Sequence, residues 1–145
     1  MTAVAKELIA ALGGDKVLSA TVRSEFDLAV AAEAGLPAQV AGRVLDQELL
    51  TAEELYALVI PRRTLERRYE SKQPLTVTES DRLLRVVRAV VRAIDALNSV
   101  EKAQRWLRTP NRAFRGKQPI TLLETDIGAR MVERALGRIE HGVHS

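Results

Sequence analysis

The stretch from Thr51 to Leu97 punctuates itself as a series of helices, and this leaves the chain few other folds. Thr51-Ala52-Glu53-Glu54 has the spacing of a capping box. In such a box the Thr hydroxyl takes the third helical amide and the Glu carboxylate reaches back. Leu55, Leu58 and Val59 follow at helical spacing. Pro61 then disfavours helical dihedrals at Ile60 and suits the first position of a new helix, Pro61 to Glu70. After a loop through Gln73-Pro74-Leu75, Thr78-Glu79-Ser80-Asp81 reads as a second capping box opening a long helix to about Leu97. There Leu83, Leu84, Val86, Val87, Val90, Val91, Ile94 and Leu97 form a wide apolar face, with Arg82, Arg85, Arg88, Arg92 and Asp95 opposite. A face this wide can cover more than one neighbour, a second subunit included. The arginine row reads as a solvated face, the commoner case, or as a stripe tracking phosphates.

The flanks read the same way. In residues 1–48, Gly13-Gly14 and Gly35-Leu36-Pro37 break apolar runs, which predicts short helices near 3–12, 15–22, 25–34 and 37–45. In residues 98–145, Ser99 caps a helix over 100–108 that contains Trp106 and Leu107. Thr109-Pro110-Asn111 stops it. A basic loop comes next (Arg112, Phe114, Arg115, Gly116, Lys117, Pro119), then a short turn with Ile120, Leu122 and Leu123. A last helix over about 125–139 presents Ile127, Met131, Val132, Ala135, Leu136 and Ile139 as its apolar positions. Aromatics are only 3% of the 145 residues, so the core must come from Leu, Val, Ile and Ala, which favours helices over a β-sandwich. The expected fold is all-α. Residues 1–97 form a helical helix-turn-helix domain with an N-terminal extension, and residues 98–145 form a small second helical domain.

Several function classes fall away. There is no cysteine, so thiolate metal sites, iron–sulfur clusters and cysteine nucleophiles are excluded; the same absence suits a reducing cytoplasm. The only histidines, His141 and His144, stand near the chain end, where a metal site is a poor expectation. No Gly-rich phosphate loop and no outstanding carboxylate pair is present. No apolar run reaches the ~18 residues of a membrane span, and the first residues do not read as a signal peptide. Neither an enzymatic activity nor a cofactor is therefore expected. The net charge of +3 conceals a split: residues 1–60 carry four Lys/Arg against nine Asp/Glu, and residues 61–145 carry eighteen against ten. Such asymmetry points to a polyanionic partner or, more plainly, to solvated helix faces.

Two short helices meeting at a tight turn over 51–70 have the layout of a helix-turn-helix, whose second helix faces the major groove with its N-terminal residues. Arg62, Arg63, Thr64, Arg67 and Arg68 are the residues expected to contact DNA. Arginine suits bidentate contact with guanine or phosphate, and Thr suits either a base edge or a phosphate. Arg62 and Arg63 sit where the helix dipole disfavours cations, which suggests an external partner. The competing reading is an ordinary basic surface helix, with Glu66 and Glu70 pairing the arginines. Leu65 and Tyr69 are expected to face the core. At the far end Gly142 can stop the last helix. The residues beyond it form either a frayed end or a short tail that enters a partner's cleft at little entropic cost.

The run Leu49 to Arg68 and the helix start Glu79-Ser80-Asp81-Arg82-Leu83-Leu84-Arg85 resemble the DNA-binding region of the Xre/MbcA/ParS-type bacterial antitoxins. The C-terminal third resembles their toxin-binding domain more closely still. It carries Ala103-Gln104-Arg105-Trp106-Leu107-Arg108-Thr109-Pro110-Asn111, Pro119-Ile120-Thr121-Leu122-Leu123-Glu124-Thr125 and Gly128-Ala129-Arg130-Met131-Val132-Glu133, ending in Leu136-Gly137-Arg138-Ile139-Glu140-His141-Gly142. The resemblance spans about 49–145. One departure is the loop Glu70-Ser71-Lys72-Gln73-Pro74-Leu75, where many relatives have a short Gly-containing turn. The resemblance implies a type II antitoxin and homodimer whose protein partner is a RES-domain toxin that consumes NAD⁺. The chemistry and its cofactor then belong to the partner. It also implies that the C-terminal region, here Arg138, Ile139, Glu140, His141, Gly142 and Val143, covers the toxin's active-site entrance. From charge alone, and not from the resemblance, Glu140 is a candidate to pair arginines that otherwise hold the NAD⁺ phosphates. The helix-turn-helix would repress the operon by binding operator double-stranded DNA. The alternatives are a stand-alone repressor whose C-terminal domain serves dimerisation only, and a toxin-binding protein that has lost DNA recognition.

Overall fold

A computed structural model describes residues 3–142. Among these the regular structure is helical, and the only β-type pairing is one isolated bridge, Asn111 to Lys117. The chain divides into two compact units, Met1–Val87 and Arg88–Ser145. The division falls inside the long helix, whereas the sequence pattern puts it at the helix end near Leu97. The reason is electrostatic as well as steric. Arg88 and Arg92 on that helix form ion pairs with Glu133 (3.0 Å) and Glu140 (3.5 Å) of the last helix.

The first unit begins with α1 (Ala3–Ala11), which stops ahead of Gly13 at φ +107°. No helix forms over 15–22, contrary to expectation; a single 3₁₀ turn spans Gly14–Lys16. Beyond it Ser19 and Thr21 bond to each other (2.9 Å), and the Ser19 hydroxyl takes the Thr21 amide. Such local side-chain bonds compete with the helical ladder. Ser24 caps α2 (Glu25–Ala34) by accepting the Asp27 amide. Gly35, at φ +93°, lets the chain pass Leu75, whose carbonyl oxygen would stand 2.3 Å from any Cβ added there. The Leu75 amide donates to the Leu36 carbonyl at 2.8 Å, so no other residue fits this crossing. Next comes α3 (Gln39–Asp46), starting two residues later than expected. The carbonyls of Pro37 and Ala38 first close a turn with the amides of Val40 and Ala41.

The helices α4 (Ala52–Leu58) and α5 (Arg62–Ser71) come next, and then α6 (Val77–Leu97). The box at Thr51 and Glu54 forms in both directions, at 3.1 and 2.9 Å. The second box is two residues earlier than expected. The Thr76 hydroxyl accepts the Glu79 amide (3.1 Å) and the Glu79 carboxylate takes the Thr76 amide (2.8 Å). Ser80 is instead buried, its hydroxyl accepting the Leu36 amide at 2.9 Å. The core of this unit holds Leu12, Leu36, Val40, Val44, Leu55, Ile60, Leu75 and Leu83, all fully buried. Each contributes roughly 1.5–3 kcal/mol by leaving water.

The second unit takes the C-terminal half of α6. Val90 and Ala93 on it are fully buried. The arginine row is not a uniform solvated face: Arg82 is exposed, whereas Arg85 pairs with Asp81, Arg88 with Glu133 and Arg92 with Glu140. Ser99 caps α7 (Val100–Arg108). Two 3₁₀ turns, Arg112–Phe114 and Pro119–Glu124, lead to α8 (Asp126–Glu140), capped by Thr125. At Gly128 the helix meets the second turn so closely that a Cβ would lie 2.0 Å from the Leu122 carbonyl oxygen. This contact sets the rotation of α8. Gly128, Val132, Ala135 and Leu136 are turned inward, and Ile127 and Met131, two of the helix's expected apolar positions, are exposed.

Candidate functional site

The first candidate surface lies on α5. Pro61 stands at the N-cap with φ −58° and ψ 144°, one position before the first helical residue where the sequence pattern places it. Leu65 buries one face of the helix, and Leu55, Val59 and Ile60 bury the preceding helix and turn. This fixes the roll of α5. Arg62, Arg63 and Arg67 are exposed and Thr64 is half-buried. Arg62 donates to Glu66 at 2.9 Å, one turn on, and this bond raises its already high pKa. Arg63 and Arg67, four residues apart and so on one side of the helix, have no ion-pair partner among the described residues.

Arg68 is different. Its guanidinium grips Glu79 through two bonds, 3.3 and 3.1 Å, and both side chains are largely buried. Burial alone would push the Glu79 carboxyl up. The Arg68 guanidinium and the Thr76 amide outweigh it and hold the group below the usual carboxylate range. Arg68 therefore ties α5 to the start of α6. Tyr69 does not enter the core beside Leu65; it stays 40% exposed, its hydroxyl lying near the backbone of Gly42 and partial burial raising its pKa. Lys72 ends α5 in the left-handed region, at φ 54° and ψ 37°.

The second candidate surface is the outer side of α8 and its end. His141 is the C-cap, and Gly142, at φ +71°, donates to the Ile139 carbonyl. Arg138, Glu140, His141 and Gly142 are exposed, and Ile139 is half-buried. Glu140 is already engaged by Arg92. Val143 and His144 lie outside the described residues. No group of three or more His, Cys, Asp or Glu that could hold a metal gathers among the described residues, nor is any helix there long and apolar enough to cross a membrane.

Helical periodicity alone misplaces two residues. Ile127 (71% exposed) and Met131 share one stripe of α8 with Arg134 and Arg138, at steps of four, three and four. The signal for this lay in Gly128. A glycine inside a helix marks the side that something approaches closely, and so places its neighbour Ile127 on another side.

Known proteins resemble this chain over both surfaces. Residues 27–88 match the profile of the antitoxin Xre-like helix-turn-helix domain, and residues 92–142 match that of the antitoxin Xre/MbcA/ParS C-terminal toxin-binding domain. An antitoxin Xre of Pseudomonas putida is 36% identical over 119 residues, covering 82% of this chain and 74% of the relative. The chain belongs to the Xre/MbcA/ParS antitoxin family. Antitoxins Xre of Photorhabdus laumondii (32% identical, 77% of this chain and 76% of the relative) and Yersinia enterocolitica (41%, 65% and 64%) are also similar. The basic helix α5 falls within the helix-turn-helix match, and α7 and α8 fall within the toxin-binding match. The chain is thus an antitoxin with one domain of each kind.

Proposed function

We propose that this antitoxin neutralises a RES-domain, NAD⁺-consuming toxin by covering its active-site entrance, and that it represses its own operon through α5. The observation that carries the first half is the build of α8. The helix ends in a capped turn at His141–Gly142, so Arg138 to Gly142 are held on a helical support and lose little entropy on docking. Arg138, Ile139, Glu140, His141, Gly142 and Val143 are the occluding residues. Ile127 and Met131 supply apolar contact along the same helix. Glu140 reaches a toxin arginine only by exchanging its Arg92 partner.

For operator DNA, Arg62, Arg63, Thr64 and Arg67 are the contacting residues. Arg68 orients the helix through Glu79. Catalysis belongs to the toxin. The homodimer that the family resemblance implies has its best surface on α2, where Phe26 and Val30, one turn apart, are 74% and 49% exposed. A cytoplasmic, type II system is the setting these roles require.

The test is deletion of residues 139–145 with co-expression of the neighbouring toxin. Loss of host protection with operator binding retained is expected; unchanged protection overturns occlusion by the helix end. A stand-alone repressor would be indifferent to the deletion and would co-purify with no toxin.

A further inference from the structure

Of the eleven Lys/Arg of the second unit only three, Arg130, Arg134 and Arg138, lie on α8. From Lys102 to Leu123 the sequence holds six Lys/Arg and no Asp or Glu. In the middle of this stretch a loop folds tightly on Asn111. The Asn111 side chain accepts the Ala113 amide (2.9 Å), its carbonyl accepts the Gly116 amide (2.9 Å), and its own amide donates to the Lys117 carbonyl (3.0 Å). Phe114 is buried and meets the half-exposed Trp106 edge-on, with ring centroids 6.4 Å apart. The loop is therefore pinned at its base and its centre. It presents Arg112, Arg115 and Lys117, all exposed and none with an ion-pair partner among the described residues.

Arg115 adds a second, independent observation. It sits at φ 55°, in the left-handed region, directly before Gly116 at φ 85°. Glycine or asparagine would hold that conformation at lower cost. Lys72 bears the same cost at the end of α5; what sets Arg115 apart is that it bears it on an exposed loop with two further cations, which points to a partner outside the chain.

We propose that the loop Asn111–Lys117 is a preformed cationic docking site for an acidic surface patch of the toxin, separate from the helix end that occludes the toxin's cleft. This rests on the antitoxin reading. A protein partner fits better than DNA. The loop lies in the unit matched by the toxin-binding profile, and arginines in a loop anchored by Phe114 on a half-exposed Trp106 have the composition of protein-interface anchors.

The experiment compares wild type, Arg115→Gly, and Arg112→Ser/Arg115→Gly/Lys117→Ser for binding to the toxin encoded beside this gene, and for binding to duplex operator DNA. Arg115→Gly should unfold at the same or a higher temperature than wild type, yet bind the toxin about fivefold more weakly. The triple variant should bind it about a hundredfold more weakly at ~0.1 M salt, and the gap should close towards ~1 M. Wild type that binds no toxin overturns the antitoxin reading and this inference with it. Wild type that binds, with the triple variant equal to it at low salt, overturns the docking loop alone. Loss of DNA affinity with toxin affinity intact makes the loop a phosphate contact and also overturns the proposal.

Discussion

Lys72 shows how a single residue can be placed against its own preference. It closes α5 in the left-handed region, the position where a glycine would cost least. Lys72→Gly is expected to stabilise the protein by about 0.5–1 kcal/mol, read as a rise of a few degrees in thermal midpoint. Gly128 is the converse. With the Leu122 carbonyl oxygen 2.0 Å from a would-be Cβ, a methyl there meets backbone, which cannot rotate away. Gly128→Ala should cost about 1–3 kcal/mol or more, measured by denaturant unfolding. Neither effect is visible in hydrophobic periodicity, because each depends on where a distant or left-handed backbone segment runs.

The boundaries of elements reflect the competition between local bonds. The box at Thr51 and Glu54 was legible from spacing, and so was the Ser99 cap. The box at the start of α6 was misplaced because Thr76 and Thr78 are both acceptable caps locally. Thr76 wins because Ser80 is drawn to the Leu36 amide, 44 residues away. Glu79 then serves two partners, the Thr76 amide and Arg68. Its folded pKa lies below its ordinary value. Its contribution to stability is thus fully present above the ordinary glutamate range and is lost as pH falls through the lowered folded value. Glu79→Gln should cost about 1–2 kcal/mol at pH 7. The difference from wild type should shrink as pH falls below ~4. A pH-independent difference in urea midpoints would show that packing, not charge, is what the substitution removes.

At the scale of the whole molecule, the charge division differs from that suggested by cutting the sequence in half. The unit Met1–Val87 carries eleven Lys/Arg and thirteen Asp/Glu, whereas Arg88–Ser145 carries eleven and six. The positive charge proposed to face DNA is therefore local to α5 and not a property of its unit. Reversing Arg63 and Arg67 together (R63E, R67E) should lower operator affinity at least a hundredfold and flatten its salt dependence. The melting temperature should hardly move, since both side chains are exposed. An equal loss in the neutral-charge variant Thr64→Val would argue for base reading over phosphate attraction.

Spacing and chain chemistry alone determined the helical class, the paired helices around Pro61, the caps at Thr51 and Ser99 and the stop at Gly142, since each is decided within a few residues along the backbone. Only the tertiary structure decided that Arg68 belongs to Glu79, that the long helix is shared between two units and that Ile127 faces outward. Those outcomes depend on which side chains and carbonyls meet between elements, some close along the chain (Leu122 and Gly128) and some far apart (Arg88 and Glu133), and a one-dimensional pattern does not contain that geometry.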